Sequence, residues 1–261
     1  MRRFCDMSLP ALAVAVHNEY FKDMMDKREK LPAGKSSASN VDAFLKKVAG
    51  MPSARAAGER GRLLFAMDAT ASRQPTWDRA AHIQGEMFTE TAALGGLELQ
   101  LAFFRGFGEF KASPWLTGSE ELARMMTSVQ CMAGETQIGK VLAHAINETK
   151  RRKIDALVYV GDCVEEDVDA LGAKAGQLGL LGVPAFMFHE GDDALAAFAF
   201  KQIATLSGGA YCAFDASSAQ TLKDLLGAVA VFAAGGRKAL ENMAQKRGGG
   251  ALKLIQQVKG G

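Results

Sequence analysis

Two aspartates stand where a folded chain has little reason to place them. Asp68 follows the apolar run Leu63-Leu64-Phe65-Ala66-Met67, and Asp162 follows Ala156-Leu157-Val158-Tyr159-Val160-Gly161. Continuous apolar runs of this length are the pattern of strands covered on both faces. Each carboxylate is therefore expected at the tip of a central strand. Packing does not account for it, because an unpaired buried charge is expensive and has to be hydrated, hydrogen bonded or coordinated. Asp68-Ala69-Thr70-Ala71-Ser72 supplies one hydroxyl two residues on and another four residues on. In a loop leaving a strand, alternate residues can turn toward one point, and Ala69 and Ala71 are small enough to let it curl. Oxygen ligands of this kind favour magnesium, calcium or manganese over zinc, which prefers nitrogen and sulfur.

The elements that would hold these oxygens alternate from Arg62 onward. Strands are expected over 63–67, 97–104, 106–110, 156–160, 183–188 and 210–214. Helices are expected over 75–94, 119–126, 137–150, 165–178, 193–206 and 217–234, the last stopped by Gly235-Gly236. Alternation of this sort predicts an α/β fold: a doubly wound, mainly parallel central sheet with helices on both faces. In such a sheet, ligands bind at the carboxyl ends of the strands, near the point where strand order reverses. The domain is expected over 61–236. A helical extension with a linker precedes it at 1–60, with helical patterns over 12–27 and 41–48, the second sharing Val41, Phe44, Leu45 and Val48 on one face. A basic tail with a short polar helix follows at 237–261.

Asp68-Ala69-Thr70-Ala71-Ser72 resembles the D-x-[ST]-x-S motif of the von Willebrand factor A (VWA) domain family. Gly134-Glu-Thr-Gln-Ile-Gly-Lys-Val-Leu142 looks like that family's threonine segment, which puts a third hydroxyl at Thr136. Leu157-Val-Tyr-Val-Gly-Asp162 looks like its strand ending in the second aspartate, and residues 200–209 are similar to its helix and Gly-Gly turn. The resemblance covers about residues 62–236, with the elements in the family's order. It implies a Rossmann-like fold and a metal-ion-dependent adhesion site (MIDAS), in which Asp68, Thr70, Ser72, Thr136 and Asp162 hold one Mg2+ or Mn2+. A remaining position would then take an Asp or Glu carboxylate from a partner protein. Thr70 stands where serine is frequent. Cys163 follows Asp162 where glycine is common, so the turn there is expected to differ from the family's.

Other signals weaken on inspection. Gly134 to Lys140 matches the start of a phosphate-binding loop, but Val141 stands where a Ser or Thr would hold magnesium. Glu165, Glu166, Asp167 and Asp169 are read first as acids favoured at a helix amino end, with an acidic rim to the metal site as the second reading. The histidines His17, His82, His144 and His189 fall on separate elements without ligand spacing, and no paired general acid and base emerges. Cys163 has no evident basic neighbour to activate it.

The four cysteines are scattered, as in a reduced cytoplasmic protein. No apolar run reaches the ~20 residues of a membrane span. Residues 1–60 carry a net +4, 61–236 a net −7 and 237–261 a net +5. The basic arms lack interleaved aromatics or a reading motif, so nucleic acid is not expected as a partner. The expected function is non-enzymatic, metal-dependent protein binding. The alternatives are a metal-assisted phosphoester hydrolase, for which no base or second metal cluster is visible, and a structural subunit of a larger assembly.

Overall fold

The computed structural model describes residues 43–44, 47–48, 60–92, 96–214 and 219–246. The chain divides into two compact units, Met1–Ala33 and Gly34–Gly261, and every described residue belongs to the second. The helix expected over 12–27 lies outside the described residues, as does the chain beyond 246.

Six strands make one sheet: β1 (Gly61–Asp68), β2 (Leu97–Arg105), β3 (Glu109–Ala112), β4 (Ala156–Gly161), β5 (Ala185–Glu190) and β6 (Ala210–Phe214). Their spatial order is β3-β2-β1-β4-β5-β6, and only the β2–β3 pair is antiparallel. The helices are α1 (Gln74–Ile83), α2 (Gly85–Thr91), α3 (Ser119–Ser128), α4 (Ile138–Arg151), α5 (Val168–Leu180), α6 (Ala194–Leu206) and α7 (Ala219–Lys246).

Side chains alternate across a strand, and the core divides accordingly. Leu63, Phe65 and Met67 of β1 pack with Trp77, Met87, Leu122 and Leu226, from α1, α2, α3 and α7. Leu64 and Ala66 face the other way, onto Val141, Leu171 and Phe200 of α4, α5 and α6. The result is the doubly wound, mainly parallel α/β sheet with helices on both faces.

Several boundaries differ from expectation for local reasons. The helix expected over 75–94 is divided: Ala71–Arg73 form a 3-10 turn and α1 gives way to α2 at Gln84, beside Gly85, a poor helix former. α5 starts at Val168 because the Asp167 side chain accepts from Ala170 N at 2.7 Å and caps it. β5 begins at Ala185, just after Pro184, which has no amide to donate. The third strand starts at Glu109, since Gly106 and Gly108 are used in the turn. α7 is broken at Gly236, whose φ of 65° and ψ of −164° leave the helical region, as the double glycine predicts. Beyond the break, Ala239 and Leu240 are buried.

Of the segment expected over 41–48, Ala43, Phe44, Lys47 and Val48 are described and helical. Phe44 and Val48 are buried, and the Phe44 ring meets Phe186 and Phe188 edge-on at centroid distances of 6.0 and 5.3 Å. Among the described residues, no helix is long and apolar enough to cross a membrane.

Candidate metal centre

The strand order reverses between β1 and β4: from β1 the chain passes to β2 on one side, and from β4 to β5 on the other. Loops leaving these two strands diverge, and a crevice opens at the carboxyl edge. Register fixes what stands there. Met67 pairs with Val160, which sets Asp68 level with Gly161; Gly161 pairs with His189, which sets Asp162 level with Glu190. Three adjacent strands thus present three carboxylates at one edge.

Asp68 is fully buried. Its Oδ1 accepts from the Thr70 amide at 2.7 Å, while its Oδ2 has no hydrogen-bond partner. Asp162 is half-buried; its Oδ2 accepts from the Ser72 hydroxyl at 2.9 Å, and its Oδ1 is likewise without a partner. One ligand atom from each of Asp68, Asp162 and Cys163 lies within 4.8 Å of the others. Burial, above all, raises the Asp68 carboxyl to about 6; hydrogen bonds from Thr70 and the charge of Arg73 pull the other way, and the Asp162 charge adds to the rise.

These features fit a divalent cation. Two carboxylate oxygens without donors, one on a wholly buried residue, leave a concentration of negative charge that a cation relieves. Ser72, by contrast, is exposed, so the site is reached from solvent.

Thr136 is held differently. Its hydroxyl accepts from the Glu165 amide at 3.0 Å, its own amide donates to Glu165 Oε2 at 2.8 Å, and the hydroxyl also bonds the Glu166 side chain. Hydrogen bonds and carboxylate proximity therefore join Asp68, Thr70, Ser72 and Asp162 directly. Thr136 is anchored to the segment just past Asp162. Its loop lies close over the β2–β3 turn: a Cβ on Gly134 would come within 2.2 Å of Gly106 O, so only glycine fits.

Three neighbours were given no role in the reading of the sequence. Arg73, next to Ser72, is almost fully buried; it forms an ion pair with Glu190 and brings Nη1 to 3.7 Å from Asp162 Oδ2. Glu190 also accepts from the Thr76 hydroxyl, at 2.6 Å for Oε1. The available signal was that β5, like β1, ends in an acid, and that β4 leads straight into one. His189 is buried, bridges Asp162 O at 3.2 Å and Tyr211 Oη at 3.0 Å, and burial lowers its pKa. Its place is structural.

The acids after Asp162 divide their roles. Asp167 caps α5, whereas Glu166 reaches back to accept from Gly139 N at 2.8 Å and from Ile138 N at the start of α4. Lys140, in the sequence that resembles a phosphate loop, donates to Gly108 O and Gln137 Oε1, both at 2.8 Å. The Cys163 thiol is pushed up to about 12, first by burial and then by the Asp162 and Asp68 charges.

Solved structures share this architecture. The chain matches the SpRpn10 VWA domain with a TM-score of 0.51 at 15% identity, over 64% of this chain and 94% of that one. It matches the vWF domain of the type V pili tip protein Mfa5 from Porphyromonas gingivalis with a TM-score of 0.52 at 11% identity, over 67% and 95%. It also matches proximal thread matrix protein 1 from the mussel byssus, in a structure with a zinc-occupied MIDAS motif, at 0.51 and 15% identity. That match covers 67% of this chain and 48% of the byssus protein, so the chain spans about half its length. No protein-family model matches the sequence, and no curated protein matches it. What these likenesses show is the fold, which is that of von Willebrand factor A domains.

Proposed function

We propose that the chain is a non-enzymatic, metal-dependent protein-binding module, in which Asp68, Thr70, Ser72, Thr136 and Asp162 hold one divalent cation and a partner protein offers an Asp or Glu carboxylate to it. The observation that carries this reading is the pair of donorless carboxylate oxygens, Asp68 Oδ2 and Asp162 Oδ1, at the crevice where strand order reverses. The oxygen donors alone suit Mg2+ or Mn2+. When bound, the ion supplies an electrophilic position open to an anionic oxygen. Thr70 fixes the Asp68 carboxylate through its amide, and Ser72 fixes Asp162 through its hydroxyl. Thr136 ties the third loop to the Asp162 loop through Glu165.

The rim suits a protein. Phe107, on the β2–β3 turn, is 83% exposed, and Met132, whose amide donates to Ala69 O at 3.0 Å, is 48% exposed. Apolar side chains around an exposed metal-binding edge favour a macromolecular partner over a small solute. In keeping with a non-enzymatic role, the matched structures include a pilus tip domain and a thread matrix protein. Cys131, Cys163 and Cys212 are free thiols, consistent with a cytoplasmic setting. We assign 61–236 to the binding domain, with Phe44 and Val48 of the preceding extension (1–60) and Ala239 and Leu240 of the following basic tail (237–261) packing into its core, and no role for nucleic acid.

Saturating Mn2+ should raise the melting temperature of the wild-type chain, by about 2.7 kcal/mol of stabilisation at a hundred times Kd, and should not stabilise Asp68→Ala. Asp68 keeps its proton up to about pH 6, against 3.8 in an exposed chain. Between those values the metal-free folded state holds more protons than the unfolded one, so this group's contribution to stability is present at low pH and lost as pH rises through about 6. An ion must displace that proton, so stabilisation by Mn2+ should be small at pH 5 and grow toward pH 7.5. Equal shifts at both pH values, or in Asp68→Ala, would refute the site. Capture from native lysate by wild type and Asp68→Ala in parallel then isolates the partner as the protein held by the intact site alone.

A further inference from the structure

Cys163 occupies one of the two places at which this sequence departs from the pattern it otherwise resembles. The departure is chemical as well as steric. Its sulfur and one carboxylate oxygen each from Asp68 and Asp162 lie within 4.8 Å of one another. A cation at about 2.3 Å from sulfur and about 2.0–2.2 Å from each oxygen needs only a modest closing of that triangle. The cysteine does not stand alone. Asp68, wholly buried, leaves Oδ2 without a hydrogen-bond partner, and Asp162 Oδ1 is also unpartnered.

We infer that Cys163 is a ligand of the metal centre, giving it two carboxylates and a thiolate, and that the site therefore takes zinc in preference to magnesium. The inference rests on the metal-binding reading above and narrows it: Asp68, Asp162 and Cys163 touch the ion, while Thr70, Ser72 and Thr136 hold the carboxylates and their loops in place. Magnesium takes oxygen ligands in near-octahedral geometry. Zinc accepts sulfur and oxygen together in a tetrahedron and lies well above magnesium in affinity for mixed donors. Three protein ligands and one open position are the arrangement in which zinc takes a further ligand from outside. Ser72, whose hydroxyl is 2.9 Å from Asp162 Oδ2, is exposed, so such a ligand would reach the group from solvent. The open position remains, so an incoming carboxylate is still accommodated. When the Zn–S bond forms, the S–H bond breaks heterolytically and its proton passes to solvent; no electron is transferred.

Cobalt(II) as a probe reports this directly, since thiolate coordination produces a charge-transfer absorption in the near ultraviolet. The full chain titrated with Co2+ should show that band, and Zn2+ should abolish it by displacement. Cys163→Ser should lack the band, and Cys131→Ser should retain it. Zn2+ affinity in Cys163→Ser should fall on the order of a hundredfold, at the upper end of what the loss of a ligand's supporting partner costs, while Mg2+ affinity stays within a few-fold. Absence of the band in wild type, its survival in Cys163→Ser, or parallel losses of Zn2+ and Mg2+ affinity would overturn the inference. Binding of Mn2+ that depends on Asp68 without any thiolate signature would sink the zinc inference and leave the metal-dependent module standing. Failure of every divalent ion to bind would remove both.

Discussion

Arg73 follows the last hydroxyl of the Asp68 loop, yet its side chain turns into the protein and is 2% exposed. There it meets Glu190, which Thr76 also holds, and it stands 3.7 Å from Asp162. A buried pair of this kind adds little net stability, but removing one member leaves the other charge uncompensated. Arg73→Met should therefore destabilise the fold by about 3–5 kcal/mol, and Arg73→Met combined with Glu190→Leu should recover most of that loss. Urea unfolding of the three proteins checks this; a double variant no better than the single would show that Arg73 acts through packing alone. The aspartates were legible in the sequence because a carboxylate closing a continuous apolar run has no packing explanation. Arg73 was not, because an arginine beside a polar loop reads as a solvated side chain, and its partner lies 117 positions away, at the end of a strand two places across the sheet.

Among the elements, the apolar strands were the easiest to read: β1, β4 and β5 are buried along their whole length, and their runs leave no other interpretation. The helix starts were harder where the cap is not local. α4 has no capping side chain of its own at Gln137; the carboxylate that receives its first amides belongs to Glu166, on the far side of β4. Such a bond satisfies two otherwise unpaired donors and places a negative charge at the positive end of the helix dipole. It also joins the Thr136 loop to the Asp162 loop, so the same contact serves the helix and the proposed metal centre. In the sequence, Glu166 looked like a first-turn acid of its own helix, and only the fold brings it to another. Glu166→Ala should cost about 1–2 kcal/mol, in the range of a lost helix cap, and should speed hydrogen exchange at Ile138 and Gly139. Unchanged protection at those two amides would mean that α4 is held by its apolar face alone.

At the scale of the whole molecule, one face of the sheet depends on a segment outside the strand-and-helix alternation. α7 covers β1 closely, as Ala233 O would lie 2.6 Å from a Cβ at Gly61. Toward β5, the apolar surface of Phe186 and Phe188 is met by Phe44 and Val48, and Phe186 also touches Phe232 of α7 at a centroid distance of 5.7 Å. The sequence showed that Phe44 and Val48 share a helical face but did not say what that face covers, since periodicity reports a buried side and not its partner. The structure gives the partner. Phe44 is 2% exposed and fills space between two strand residues, so truncating it leaves a cavity in a close-packed core. Phe44→Ala should lower stability by about 3–5 kcal/mol, and Phe44→Leu, which restores much of the volume, by less. Lys47, exposed in the same stretch, should accept alanine with little change. Thermal melts of these variants decide whether the segment before β1 is integral to the fold: equal melting temperatures for wild type and Phe44→Ala would mean that α7 and the sheet close that face without it.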